Sequence, residues 1–218
     1  RIFQNQNTKT ILSTVFDKLG FKDYEFRLNG TGGGNKPREY CVQYGESDLA
    51  FVSRLLAEDG IAYFFKHEAK KHTLILTDNA TAYADCPETN VLYSKGTHTD
   101  SQIRRWDHQY DFTKGKWTLN DYNFKQPSRV LETGTPTLST FTDVKKFEHY
   151  DYADIYDLSS GSELVKLRME AEEVTINTIN GDSDCSSFYA GGKFAIAQHE
   201  AKSEKGSFLL TEVRHHAE

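Results

Sequence analysis

Residues 38–67 constrain this chain more than any other stretch, because three structural elements follow one another there without a gap. Arg38 to Tyr44 is short and rich in aromatic and β-branched side chains, which reads as a strand. Residues 47–59 then place Leu49, Val52, Leu55 and Leu56 on one face of a helix, with Phe51 beside them. Ser47 or Asp48 can accept from the free amides at the helix start, and Gly60 supplies the left-handed residue that ends a helix. Residues 61–65, Ile-Ala-Tyr-Phe-Phe, read as a second strand. A helix covering two strands turns Leu55 inward and leaves Glu58 on its exposed side. By composition this is a strand-helix-strand packing unit and no active site.

The same signals recur along the chain. Asn7-Thr8 followed by Ile11, Leu12, Val15, Phe16, Leu19 and Gly20 predicts a first amphipathic helix with both ends marked. Residues 29–35 form a glycine-rich loop, but no Lys-Ser/Thr pair follows and a Pro and a strand come next, so it matches neither phosphate-binding motif. Residues 61–67 and 72–78 predict a hairpin with Glu68, Ala69, Lys70 and Lys71 at its tip. Beyond residue 103 the pattern is mainly β: residues 103–112 and 116–124 are expected to pair across Thr113-Lys114-Gly115, and residues 194–199 and 207–214 across the turn at 200–206. Between them, Leu164, Val165, Leu167 and Ala171 have helical spacing over residues 162–173, with Glu163 near the positive helix start. The Thr/Ser-rich stretch 131–144 reads as an exposed connection. The class is α+β, with a helix-and-hairpin part over residues 1–95 and a β-rich part over 96–218.

Charge and cysteine content exclude several functions. The net charge of −6 and pI near 5.8 argue against nucleic acid as a partner, since phosphate binding needs a basic stripe. The densest basic group, Lys66, Lys70 and Lys71, is interrupted by Glu68 and Ala69 and reads as a solvated hairpin tip. No run of the sequence approaches the roughly 20 apolar residues of a membrane-spanning helix. Cys41, Cys86 and Cys185 are odd in number and lack CxxC spacing, which argues against a disulfide framework or zinc site and for synthesis in a reducing compartment. Cys41 is expected to pack as a small hydrophobe in its strand. The chain starts at Arg1 without an initiator Met, so residues are expected upstream, with a lost leader among the possibilities.

Three sets of residues invite chemistry. His215 and His216 are adjacent, so on a strand they face opposite sides; His67 and His72 can meet across the hairpin, but spacing supplies no third ligand. No metal, cofactor or catalytic residue is therefore expected. Asp107, Asp111, Asp121, Asp151, Asp154 and Asp157 are dense, yet no spacing marks two of them as the facing carboxylates of a glycosidase, and edge-strand protection accounts for them. Trp106, Tyr110 and Phe112 share one parity, as do Tyr122 and Phe124, which predicts a sheet core; a carbohydrate platform would use the same residues. Trp117 has the opposite parity to Tyr122 and Phe124 and needs a bulge.

Several stretches in order, residues 38–67 together with Arg1-Ile2-Phe3-Gln4-Asn5, residues 103–106, residues 119–124, Tyr150-Asp151-Tyr152, Gly191-Gly192-Lys193-Phe194 and residues 209–215, resemble the VgrG spike proteins of type VI secretion. The N-terminal half of that family is similar to the hub protein of contractile phage tail baseplates. The resemblance implies a homotrimeric hub of small β-barrel, tail-tube-like domains with a few short helices, seated between a secretion tube ring and a needle-like β-helix. It implies a mechanical role: assembly in the cytoplasm, carriage of effector proteins or a spike-tip protein, and secretion by sheath contraction, with membrane only as the pierced target. It carries over no catalytic, cofactor-binding or metal residues. It also places an oligonucleotide-binding-fold domain and the β-helix after Glu218, and part of the N-terminal barrel before Arg1. Three other readings stand beside it: the hub of a phage or phage-derived particle, a cell-wall glycan hydrolase using Asp121 and Asp151, and a carbohydrate-binding module.

Overall fold

A computed structural model describes residues 1–29, 33–94, 101–152 and 158–217. The chain runs β1 (Ile2–Gln6), α1 (Thr8–Lys18), β2 (Tyr24–Arg27), β3 (Arg38–Val42), α2 (Asp48–Glu58), β4 (Ala62–Glu68), β5 (Lys71–Thr77), β6 (Asp85–Tyr93), β7 (Gln102–Tyr110), β8 (Lys116–Asn120), β9 (Thr133–Pro136), β10 (Glu148–Tyr152), α3 (Leu158–Glu173), β11 (Asn177–Ser183), β12 (Lys193–Gln198) and β13 (Gly206–Leu209). The strands form four sheets, ordered β1-β3, β2-β5-β4, β11-β7-β6-β12-β13 and β10-β8-β9. The fold is thus a mixture of helices and several sheets, and none of the four closes into a barrel among the described residues. Two compact units emerge, one of residues 1–107 with 180–218, the other of residues 108–179. The sequence junction expected at 95/96 lies at residues outside those described.

In the first unit the local signals act as expected. Asn7 caps α1 by accepting from the Thr10 amide, and Gly20 follows the helix at φ 73°. Ser47 caps α2 by accepting from the Ala50 amide, and Gly60 follows at φ 66°. The two helices bury Ile11, Leu12, Val15 and Phe16 from α1, and Phe51, Val52, Leu55 and Leu56 from α2, in a common core with Phe3, Cys41, Ile61, Leu74 and Leu76. Each such side chain contributes roughly 1.5–3 kcal/mol by leaving water. Two positions differ from expectation. Leu49 is 71% exposed, because at the first turn of α2 it lies at the edge of the apolar arc and beyond the sheet's reach. Glu58 is only partly exposed, since it binds Arg38 at 2.6 Å and Arg54 at 3.0 Å.

The hairpin β4–β5 forms with Glu68 opposite Lys71, closed by Ala69-Lys70. A second hairpin, β12–β13, ends at Leu209, short of the expected residue 214, and sets Phe194 opposite Phe208. These two belong to a second core with Cys86, Val91, Ile103, Cys185, Phe188 and Ile196. Trp106 packs edge-on against Phe208, at 4.8 Å between ring centroids, and its Nε1 donates to Glu204. Burial pushes the thiols of Cys41, Cys86 and Cys185 up, away from the reactive thiolate, and all three are free.

The second unit departs from the sequence pattern. The expected pairing of residues 103–112 with 116–124 does not occur: β7 ends at Tyr110 and joins β6 and β11, while β8 pairs in parallel with β10 and antiparallel with β9. The stretch 131–144 is not merely an exposed connection, for it contains β9 and buries Leu131, Thr137 and Val144. Helix α3 starts at Leu158, so Glu163 lies beyond its first turn; the buried residues of this helix include Val165 and Met169, while Ala171 is exposed. Glu172 receives Lys114 at 2.8 Å, and Glu173 accepts from the Thr137 hydroxyl and the Leu138 amide, both at 2.6 Å, which ties β9 to the helix end.

Candidate interaction surface

Helix α2 carries apolar residues over an arc of roughly 160° at 100° per residue, wider than one sheet can cover. Its Phe51 and Leu55 face the core, while Leu49, Val52 and Leu56 continue the arc outward. Helix α1 does the same with Val15 and Phe16, Leu19 follows at its end, and the face of β4–β5 presents Tyr63, Phe65 and Leu74. Together with Phe21 they line an open groove of about 310 Å³. Its floor is buried, and its rim consists of exposed Leu19, Leu49, Tyr63 and Phe65. Apart from the Tyr63 hydroxyl, Asp48 and Ser53 bring the polar side chains of the lining. Gln43 and Arg1 bind the Asp48 carboxylate at 2.7 and 2.5 Å and hold it below the usual carboxylate range. The groove therefore offers mainly apolar contact area, and its one carboxylate is already paired.

The second unit also exposes rings. Tyr110 and Phe141 pack edge-on at 5.9 Å, and Phe112 and Phe147 at 5.1 Å, with every ring about half exposed or more. The sheet-core expectation for Tyr110, Phe112, Tyr122 and Phe124 is thereby corrected: Phe112, Tyr122 and Phe124 lie past the ends of β7 and β8, and all four rings are exposed. Trp106 alone of the set packs into a core. Trp117 needs no bulge; it stacks on His149 of the neighbouring β10 at 3.9 Å.

The other sequence candidates are placed as follows. His67 and His72 meet across the hairpin, Nδ1 to Nδ1 at 2.8 Å. His215 and His216 are not on a strand, and His215 Nε2 lies 2.9 Å from the Phe188 carbonyl. No group of three His, Cys, Asp or Glu able to hold a metal occurs among the described residues. Asp107 pairs with Arg105, and Asp111 accepts from Gln109. Asp121 and Asp151 each accept from the next backbone amide, at 2.7 and 2.9 Å. Asp154 and Asp157 lie outside the described residues, as do Gly30, Thr31 and Gly32 of the glycine-rich loop. Lys66 pairs with Glu68 and Lys71 with Asp23. No described helix is long and apolar enough to cross a membrane.

The groove escaped sequence reasoning because an apolar stripe does not say what covers it. The width of the α2 arc was the available signal.

The chain is similar over 223 residues, at 31% identity, to the actin cross-linking toxin VgrG1 of Vibrio cholerae; the match covers 100% of this chain and 20% of that protein. It is likewise 31% identical to the type VI secretion system spike protein VgrG1b of Pseudomonas aeruginosa, over 96% of this chain and 28% of that protein. The chain thus spans between a fifth and a third of the length of these relatives. Among solved structures, an E. coli component of the type VI secretion system superposes with a TM-score of 0.64 at 20% identity, covering 96% of this chain and 44% of that one. A tail protein from Neisseria meningitidis superposes with a TM-score of 0.68 at 12% identity, covering 97% and 62%. At these identities the likeness is one of fold. The model of the phage tail baseplate hub family matches residues 1–218, and the chain belongs to that family.

Proposed function

We propose that this chain is the hub region of a type VI secretion spike: a structural part, assembled as a homotrimer between the tube ring and the needle, that helps deliver effector or tip proteins. The observation that carries this reading is the 31% identity to proteins named as such spikes across 96% of the chain. A packing part of this kind needs apolar side chains at its surface, and the groove rimmed by Leu49 and Phe65 and the rings of Phe112 and Phe147 supply them. A hub also needs no catalytic machinery; the toxin activity in the name of one relative belongs to a protein of which this chain matches a fifth. The barrel form of the hub, its parts at 1–95 and 96–218, assembly in the cytoplasm and export by sheath contraction belong to the same proposal.

A test follows from the mechanism. The full-length gene product is expected in the culture medium of cells with a working contractile sheath and absent from the medium when the sheath cannot contract. Equal release from both would overturn the reading. The second reading, the hub of a phage-derived particle, is favoured by the fold likeness to tail proteins; co-purification of the full-length product with tailed particles would select it. Glycan hydrolysis gains no support from Asp121 and Asp151, each of which accepts from the next backbone amide; a peptidoglycan turnover that is lost in Asp121→Asn or Asp151→Asn would revive it.

A further inference from the structure

We propose that His67 and His72 form a two-imidazole binding site for a divalent transition-metal ion, with copper(II) preferred. The turn sets the geometry. Because Ala69-Lys70 is a two-residue connection, Glu68 and Lys71 are the hydrogen-bonded pair that closes it, and His67 and His72 are the next, non-hydrogen-bonded pair. Side chains approach most closely at such pairs. The ring centroids are 4.9 Å apart, and the two Nδ1 atoms 2.8 Å apart.

Without an ion, one Nδ1 carries a proton and donates it to the other's lone pair. With an ion between them both lone pairs donate, and the shared proton moves through solvent to Nε2 of the same ring, so the neutral pair binds with no net proton release. Metal–nitrogen bonds of about 2.0 Å meeting at a right angle hold the nitrogens about 2.8 Å apart, whereas tetrahedral bonds hold them about 3.3 Å apart. The hydrogen bond between the rings already holds the two nitrogens at 2.8 Å, so an ion with square coordination, such as copper(II) or nickel(II), enters without spreading them, while a tetrahedral ion must push them apart. The order of affinities for such nitrogen sites puts copper above nickel and zinc.

The neighbours leave the position open. Lys66 and Glu68 alternate to the opposite face and pair with each other at 2.9 Å, and Lys71 pairs with Asp23. Phe65, at 6.4 Å between centroids, flanks His67 on its own face. Two protein ligands leave the remaining corners to water, so the ion is exchangeable, unlike the structural zinc that the sequence spacing argues against.

The test uses tag-free protein stripped with a chelator and desalted, titrated with copper(II) chloride by calorimetry and followed by electron paramagnetic resonance. One ion per chain is expected, with nitrogen hyperfine structure. His67→Ala and His72→Thr should each weaken binding about tenfold or more, since loss of an outer-shell partner alone costs that much. Both positions are exposed at a hairpin tip, and unchanged denaturation midpoints would show the variants folded. Nickel(II) chloride should bind more weakly than copper. Absence of saturable binding, or binding that survives His72→Thr and disappears in His215→Ala or His149→Ala, would overturn the proposal.

Discussion

Leu55 and Leu49 sit six residues apart on one helix and have opposite fates, which makes them a test of how burial is distributed. Leu55 is fully buried between α1 and the strands it covers, so Leu55→Ala should cost about 2–5 kcal/mol. Leu49→Ala, at the exposed groove rim, should stay within about 0.5 kcal/mol. Equal urea midpoints would show that α2 faces the other way. Arg38 offers a second test. Its guanidinium donates to Asp59 at 2.7 Å, to Glu58 at 2.6 Å and to Thr8 at 3.1 Å, and Asp59 is buried. Burial holds the Asp59 pKa above its ordinary value. Removing the cation strands that carboxylate, so Arg38→Ala should cost about 3–5 kcal/mol at neutral pH. A raised folded-state pKa contributes stability that is present below the unfolded value and is lost as pH rises through the folded value. The deficit of Arg38→Ala should therefore shrink as pH falls toward about 4. A deficit that grows on acidification would show that Asp59 is not the group left unpaired.

At the scale of elements, the two helices and the β4–β5 hairpin were legible because each is specified within a dozen residues. Asn7 and Ser47 cap, Gly20 and Gly60 terminate, and alternation fixes the hairpin face. The pairing of β8 was not legible. Its partners β10 and β9 lie outside its own stretch of chain, and the short gap before it favoured the wrong neighbour, β7. In the observed order α3 packs against β8 and β9, with Val165 and Met169 buried. One loop position can be tested directly. Gly191 has φ 89°, and an added Cβ would collide with the Phe64 ring. Gly20, at φ 73°, has open space around it. Gly20→Ala should cost roughly 1–2 kcal/mol from backbone strain alone. Gly191→Ala should cost clearly more, because Phe64 must also leave its place, and thermal denaturation of the pair would check the order.

At the scale of the whole molecule, charge and lost freedom oppose assembly. A net charge of −6 makes like copies repel, and association costs about 4–15 kcal/mol in lost freedom before any contact is repaid. This region alone should therefore form a weak trimer, or a monomer–trimer equilibrium, while the full-length product should be a firm trimer. Light scattering over a range of concentrations measures both. A dimer that persists on dilution in both proteins would overturn the trimeric hub. Leu49→Lys, which places charge on the groove rim without touching the core, separates two cases: a weakened trimer assigns the groove to the contact between copies, and an unchanged one assigns that contact elsewhere.

The sequence by itself determined the mixture of a few helices with several strands, both N-terminal helices with their caps, the two hairpins, the burial of Cys41 and, through ordered stretches along the chain, the family. Those features depend on hydrogen bonds and side-chain periodicity within short windows, or on residues kept in register with relatives. Only the tertiary structure decided that β8 lies between β10 and β9, that the 131–144 stretch is partly buried, that Leu49 and Phe112 face water, and that Glu58 belongs to an ion-pair network. Each of these depends on which distant surfaces meet, and a strand edge or an apolar stripe accepts any complementary partner that the rest of the chain brings to it.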